Sequence, residues 1–151
     1  MIQSLGAIMS SSAAVTVLTG VTVFVVGQLF AKRVIEPYVS FREQLGRISA
    51  LLLREQSKIT NFRANNEIVH DLKEAAAQLM AKYSALPKSL KQSYAGMRCV
   101  PSQSTILESA QILNEITSIL EGNSRENVYG LIKKIGINLN IPTTYSSQSS
   151  H

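Results

Sequence analysis

Glu67 and His70 form a Glu-x-x-His step, with Asp71 and Glu74 following, and no other stretch of the chain gathers groups suited to metal or acid–base chemistry so closely. A di-metal carboxylate site needs that step twice, with further glutamates from facing helices. The chain has two histidines, and the second is the C-terminal His151. A solvated charged face is the expectation at 67–74. His70 and Asp71 are consecutive, so on a helix they point apart and cannot form a nucleophile relay. Cys99, beside Val100, reads as a small buried apolar residue; Arg98 would favour its thiolate only if it were exposed. No Gly-rich phosphate loop, metal-ligand cluster or paired-carboxylate pattern occurs. No catalytic, cofactor-binding or metal-binding residue is therefore expected, no cofactor is called for, and the chain does not read as an enzyme.

Between Glu74 and Glu108 the only charges are Lys82, Lys88, Lys91 and Arg98. The favoured expectation is intramolecular: this basic segment faces Glu108, Glu115, Glu121 and Glu126 on the following helices. Lys88 and Lys91, with Lys32 and Arg33 upstream, are alternatively candidates for contact with anionic lipid headgroups. Four scattered cations without an aromatic platform argue against nucleic acid as a partner.

The elements that position these residues begin with a sharp division of charge. The chain has 151 residues and a formal net charge of +5, yet no Lys, Arg, Asp or Glu precedes Lys32. One cysteine rules out an intramolecular disulfide, which suits a reducing compartment. Residues 13–31, "AAVTVLTGVTVFVVGQLFA", are 19 in number; as a helix they rise about 28 Å, close to the hydrocarbon thickness of a bilayer. Ten of them are Val, Leu or Phe, and together these favour insertion by roughly 3–6 kcal/mol. A secretory signal would carry its cations before the apolar core rather than after it, and a strand of this length would be exceptional. A transmembrane helix over 13–31 is expected, with a short exported N-terminus, 1–12, and Lys32 and Arg33 marking the cytoplasmic side. Thr16, Gly20 and Gly27 lie on a stripe of small residues along this helix, a face that allows close helix–helix approach.

Beyond Pro37, which suits either the first turn of a new helix or a kink in a continuing one, apolar positions fall into register. Val34, Tyr38, Phe41, Leu45, Ile48, Leu52, Glu55, Ile59 and Phe62 alternate spacings of four and three, a coiled-coil seam with one polar interruption. The flanking charges are not complementary, so packing of Leu45, Ile48 and Leu52 against the chain's own later helices is favoured over an intermolecular coiled coil. Asn65 or Asn66 can cap a second helix to about Leu86. Pro87 opens a short basic helix ending near Gly96, and Thr105 and Glu108 have capping-box spacing for a helix closed by Gly122. Ser124 can cap a last helix stopped at Gly136.

Four stretches, "VFVVGQLFAKRVIEP", "IVHDLKEAAAQLMAKYSALP", "VPSQSTILESAQILNEI" and "ENVYGLIKKIGINL", resemble a family of small bacterial single-pass membrane proteins with a cytoplasmic helical domain. The resemblance implies a bacterial inner membrane and this layout of helices. It brings no substrate, cofactor or catalytic residue.

The expected fold is all-α: one N-terminal transmembrane helix (13–31), a cytoplasmic bundle of about four to five helices (32–141) and a disordered tail (142–151). The expected role is a membrane-anchored scaffold or interaction protein, whose partners are the bilayer and either further copies of itself or another protein. A membrane-disturbing effector of the toxin or phage-defence type, acting through clustered anchors, is the alternative.

Overall fold

A computed structural model describes the backbone over residues 2–93, 100–122 and 127–145, and side chains over 13–91, 100–122 and 127–145. The described residues are helical, with no strand among them: α1 Ile2–Phe30, a π-helical turn Ala31–Ile35, α2 Glu36–Thr60, α3 Asn66–Ala85, α4 Lys88–Ser93, α5 Gln103–Gly122 and α6 Val128–Leu139. The chain divides into two compact units, Met1–Glu36 and Pro37–His151. Cys99, Arg98, Gly96, Ser124, Glu126, His151 and the last six residues of the expected tail lie outside the described residues.

In the first unit the helix is longer than the apolar run, beginning at Ile2 rather than at residue 13. The π turn explains how helical backbone continues up to Pro37. Proline offers no N–H, and its ring crowds the carbonyl four residues back, here that of Arg33. Widening the turn lets the Glu36 N–H bond to the Ala31 carbonyl instead, an i→i+5 step that is the signature of a π-bulge. Pro37 thus marks an accommodated defect in a continuing helical backbone, not a fresh start.

The second unit is built on a core of Phe41, Leu45, Ile48, Leu52, Ile59, Leu72, Leu79, Ile106, Leu113, Ile116, Ile132 and Ile135, all essentially inaccessible to water. Chain direction can be read from side-chain partners. The Phe41 and Tyr83 rings meet edge-on with centroids 6.0 Å apart, Gln44 Nε2 donates to the Ala75 carbonyl at 3.4 Å, and Arg54 reaches Asp71 at 3.9 Å. As numbers rise along α2 they fall along α3, so the two are antiparallel. Lys73 pairs with Glu121 at 2.6 Å while Tyr83 shares a cleft with Thr105, and Lys134 pairs with Glu108 at 2.8 Å while Asn138 shares that cleft with Thr105, which sets α5 antiparallel to α3 and α6 antiparallel to α5.

The ends of the helices follow local chemistry. Asn65, rather than Asn66, caps α3, its Oδ1 accepting from the Ile68 N–H at 3.1 Å. Helix α5 starts two residues before Thr105: Ser102 is its cap, accepting from the Thr105 N–H at 3.2 Å. Glu108 is therefore past the third helical position and cannot complete a capping box; it turns to Lys134 and Asn138 instead. Asn127 caps α6 through the Gly130 N–H at 3.0 Å.

Helix α2 ends with Phe62 at φ 55°. The Phe62 N–H bonds to the Ile59 carbonyl and the Arg63 N–H to that of Lys58, the paired closure of a Schellman motif. The last position of the expected seam is thus outside the helix, in a left-handed conformation that an L-residue enters at a cost of about 1–2 kcal/mol.

Gly136 does not stop α6. The helix runs on to Leu139 and closes at Asn140, φ 53°, again with Schellman pairing: Asn140 N–H to Ile137, Ile141 N–H to Gly136. The chain then turns back across the helix. Ser49 Oγ donates to the Pro142 carbonyl, and Thr143 Oγ1 donates to the Ile132 carbonyl at 3.0 Å. A β-carbon on Gly136 would collide with Thr143 Oγ1 and lie 3.0 Å from the Ile141 carbonyl oxygen. Glycine is there to let the returning chain pass. Pro142 and Thr143, assigned by composition to the polar tail, belong to the packed unit, with Thr143 buried.

Candidate functional surfaces

Two surfaces stand apart from ordinary packing. The first is α1. Val15, Val17, Leu18, Val21, Val23, Phe24, Val25, Val26, Leu29 and Phe30 are all exposed, between 47% and 68%. The window is long and apolar enough to cross a membrane, with mean hydropathy 2.0 and none of it buried. Two polar side chains within it are satisfied internally: Thr19 Oγ1 donates to the Val15 carbonyl and Thr22 Oγ1 to the Leu18 carbonyl, both at 2.8 Å. That back-bonding removes the hydroxyl donor from its surroundings, so threonine is tolerated in an apolar medium at little cost. Gly20 and Gly27 are uncovered; a methyl placed on either meets nothing within 4 Å. Thr16 is exposed beside them, and Lys32 and Arg33 are exposed in the π turn.

The second surface belongs to the Pro37–His151 unit and concerns charge. Leu45, Ile48 and Leu52 are buried inside this unit, so within the chain they serve its own core. Glu55, the polar interruption of the seam, is buried too, and it is held by Arg54 Nε at 2.7 Å and Lys58 Nζ at 2.8 Å. The hydrogen bonds from Lys58 and Arg54 keep its carboxyl below the usual carboxylate range. Glu108 is likewise lowered, first by its bond to Lys134, whose own pKa is raised by the same bond.

Among the described residues, the expected pairing of Lys82, Lys88 and Lys91 with Glu108, Glu115 and Glu121 is corrected by this geometry. Because α5 runs antiparallel to α3, Glu115 and Glu121 lie away from α4; Lys73 takes Glu121 and Lys134 takes Glu108. Lys91 instead donates to the Ser84 carbonyl at 3.0 Å and stands 5.0 Å from the Tyr83 ring centre. Lys82 and Lys88 are exposed, and no carboxylate among the described residues pairs with either.

Glu67, His70 and Glu74 are exposed on α3, while Asp71 faces Arg54. Among the described residues no group of three or more His, Cys, Asp or Glu is placed to hold a metal ion. The Thr19 and Thr22 back-bonds are not among the sequence expectations. The i, i+4 placement of the threonines behind Val15 and Leu18 was the available signal for them.

No family model, no curated protein and no solved structure matches the chain.

Proposed function

We propose that the protein is a single-pass membrane protein in which residues 13–31 cross the bacterial inner membrane, the N-terminus is exported, and the Pro37–His151 unit is a cytoplasmic helical bundle. It acts as a scaffold or interaction module, by placing that bundle at the membrane and by protein contacts. The observation that carries this reading is the exposed apolar surface of α1 over residues 13–30. In water those side chains oppose solubility at roughly 25 cal/mol per Å², whereas in a bilayer they are matched. The two cations that end the run give the orientation by the positive-inside rule. Assembly through Leu45, Ile48 and Leu52 is no part of the proposal, because the chain's own core uses them. Self-association falls instead to the uncovered face of Thr16, Gly20 and Gly27, where helices can approach closely.

Alkaline carbonate extraction of cell membranes tests the anchor. The full chain is expected in the pellet, and a Val21→Lys/Val25→Lys variant in the supernatant; release of the unsubstituted chain overturns the reading. Light scattering on the detergent-solubilised chain tests assembly: an oligomer that falls to monomer in Gly20→Leu/Gly27→Leu supports it, and a monomer in both refutes it. The same uncovered glycines are what the bilayer-disturbing alternative requires. That reading expects growth arrest on overexpression, relieved by the same double substitution.

A further inference from the structure

The antiparallel order of the helices gathers one end of the Pro37–His151 unit: the start of α2, the end of α3, all of α4, the start of α5 and the end of α6. Tyr83, Lys91, Ser102, Thr105, Ile137 and Asn138 line one cleft of about 660 Å³ there, and Phe41 packs on Tyr83. A second cleft, of about 270 Å³, joins Ser40, Glu43 and Arg47 of α2 to Lys82 of α3.

The charges of this end are lopsided. Its described segments carry Arg42, Arg47, Lys82, Lys88 and Lys91 against Glu43 and, at the very start of α2, Glu36, while Glu108 is taken up by Lys134. Most of the other described carboxylates sit elsewhere: Glu55, Glu67, Asp71, Glu115 and Glu121 lie on the later part of α2, the early part of α3 and the later part of α5, and Glu74 of α3 lines a cleft with Arg47. Exposed apolar surface is present too, since Ile137 is 69% exposed. This basic end is also where the chain enters the unit, at Pro37.

We propose that this end of the unit is a docking surface for an anionic bilayer, with Lys82 and Lys88 as its principal headgroup contacts and Arg47 in the same cleft as Lys82. The proposal rests on residues 13–31 being an anchor, which delivers the chain to Pro37 at the membrane surface and leaves the basic end the first part of the unit to meet headgroups. Lys82 and Lys88 are exposed, and no carboxylate among the described residues pairs with either, so their ammonium groups can serve that role. Lys91 is already engaged by the Ser84 carbonyl and the Tyr83 ring, and it holds α4 against α3. A cation brought to an anionic surface favours the docked state by roughly fivefold, so Lys82→Gln/Lys88→Gln should reduce the docked-to-undocked ratio by roughly 25-fold.

The test uses the full chain with Ser89→Cys, in a Cys99→Ser background, carrying a donor fluorophore on the exposed side of α4. It is reconstituted into vesicles of phosphatidylcholine alone, or with about 30% phosphatidylglycerol, containing a headgroup-linked acceptor. Flotation reports anchoring and energy transfer reports docking. The expected result is flotation with both vesicles and higher transfer in the anionic ones, lost in Lys82→Gln/Lys88→Gln. On the unsubstituted lysines, transfer should also fall when salt is raised to roughly 0.5 M, where the screening length drops to roughly 4 Å. Flotation with both and equal transfer overturns the docking surface while leaving the anchor. Flotation only with anionic vesicles overturns the anchor and, with it, the docking surface as proposed. Flotation with neither overturns both.

Discussion

Two glycines in helices of the same unit should respond to the same substitution with opposite sign. Gly46 is exposed in the middle of α2, and a β-carbon there meets nothing within 4 Å. Gly46→Ala should stabilise the unit by about 0.5–1 kcal/mol, the difference in helix propensity. Gly136 is buried in α6, and its β-carbon would collide with Thr143 Oγ1. Accommodating the methyl group means lifting residues 141–143. That breaks the Thr143–Ile132 and Ser49–Pro142 hydrogen bonds, at about 1 kcal/mol each, and exposes part of Ile141, at about 1 kcal/mol more. Set against a propensity gain of about 1 kcal/mol, Gly136→Ala should be destabilising by about 2 kcal/mol. The two variants should then differ by about 3 kcal/mol, or roughly 12 °C in melting temperature for a unit of this size. The assay is thermal unfolding of the full chain in mild detergent, followed at 222 nm, with urea titration as a check on reversibility. If Gly136→Ala stabilises as much as Gly46→Ala, the returning chain does not cross α6 where described, and the account of Gly136 fails.

Two further outcomes follow from the caps and the ion pairs. Ser102→Ala should cost about 1 kcal/mol as the loss of an N-cap, whereas Glu108→Gln should leave the start of α5 intact, which amide exchange at Thr105 and Ile106 would distinguish. Glu55 and Glu108 have folded pKa values below the ordinary 4.5. Their contribution is present above pH about 4.5 and is lost as pH falls through the folded values. Lys134 is raised above 10.5, so its contribution is full below that value and disappears as pH rises through the folded one. Melting temperature against pH should therefore fall on both sides, and Glu108→Gln should reduce both limbs together; an unchanged alkaline limb would refute the Lys134 pairing.

What the sequence determined by itself is periodic or compositional. The uncharged run before Lys32 identifies a helix apolar on every side, and the structure leaves residues 13–30 of it exposed. The alternation of four and three from Phe41 to Ile59 names the buried stripe of α2, Glu55 included. Asn65 carries its cap in its residue type. These are properties of a few neighbouring residues, and backbone geometry converts them directly into a face or an end.

Tertiary structure decided the features that depend on what lies across from a residue. Gly136 looks like a helix stop, because glycine commonly follows the last turn, but its place is explained by Thr143, brought back over it from seven residues further on. Glu108 has the spacing of a capping residue, and is claimed by Lys134 from another helix. Lys82 and Lys88 are separated in the chain from the arginines of α2, yet they share an end with them only because α2 and α3 run in opposite directions. A sequence records which faces are apolar and which ends are capped; the direction in which helices pack determines which charges meet, and that direction is set by distances between elements that no local pattern contains.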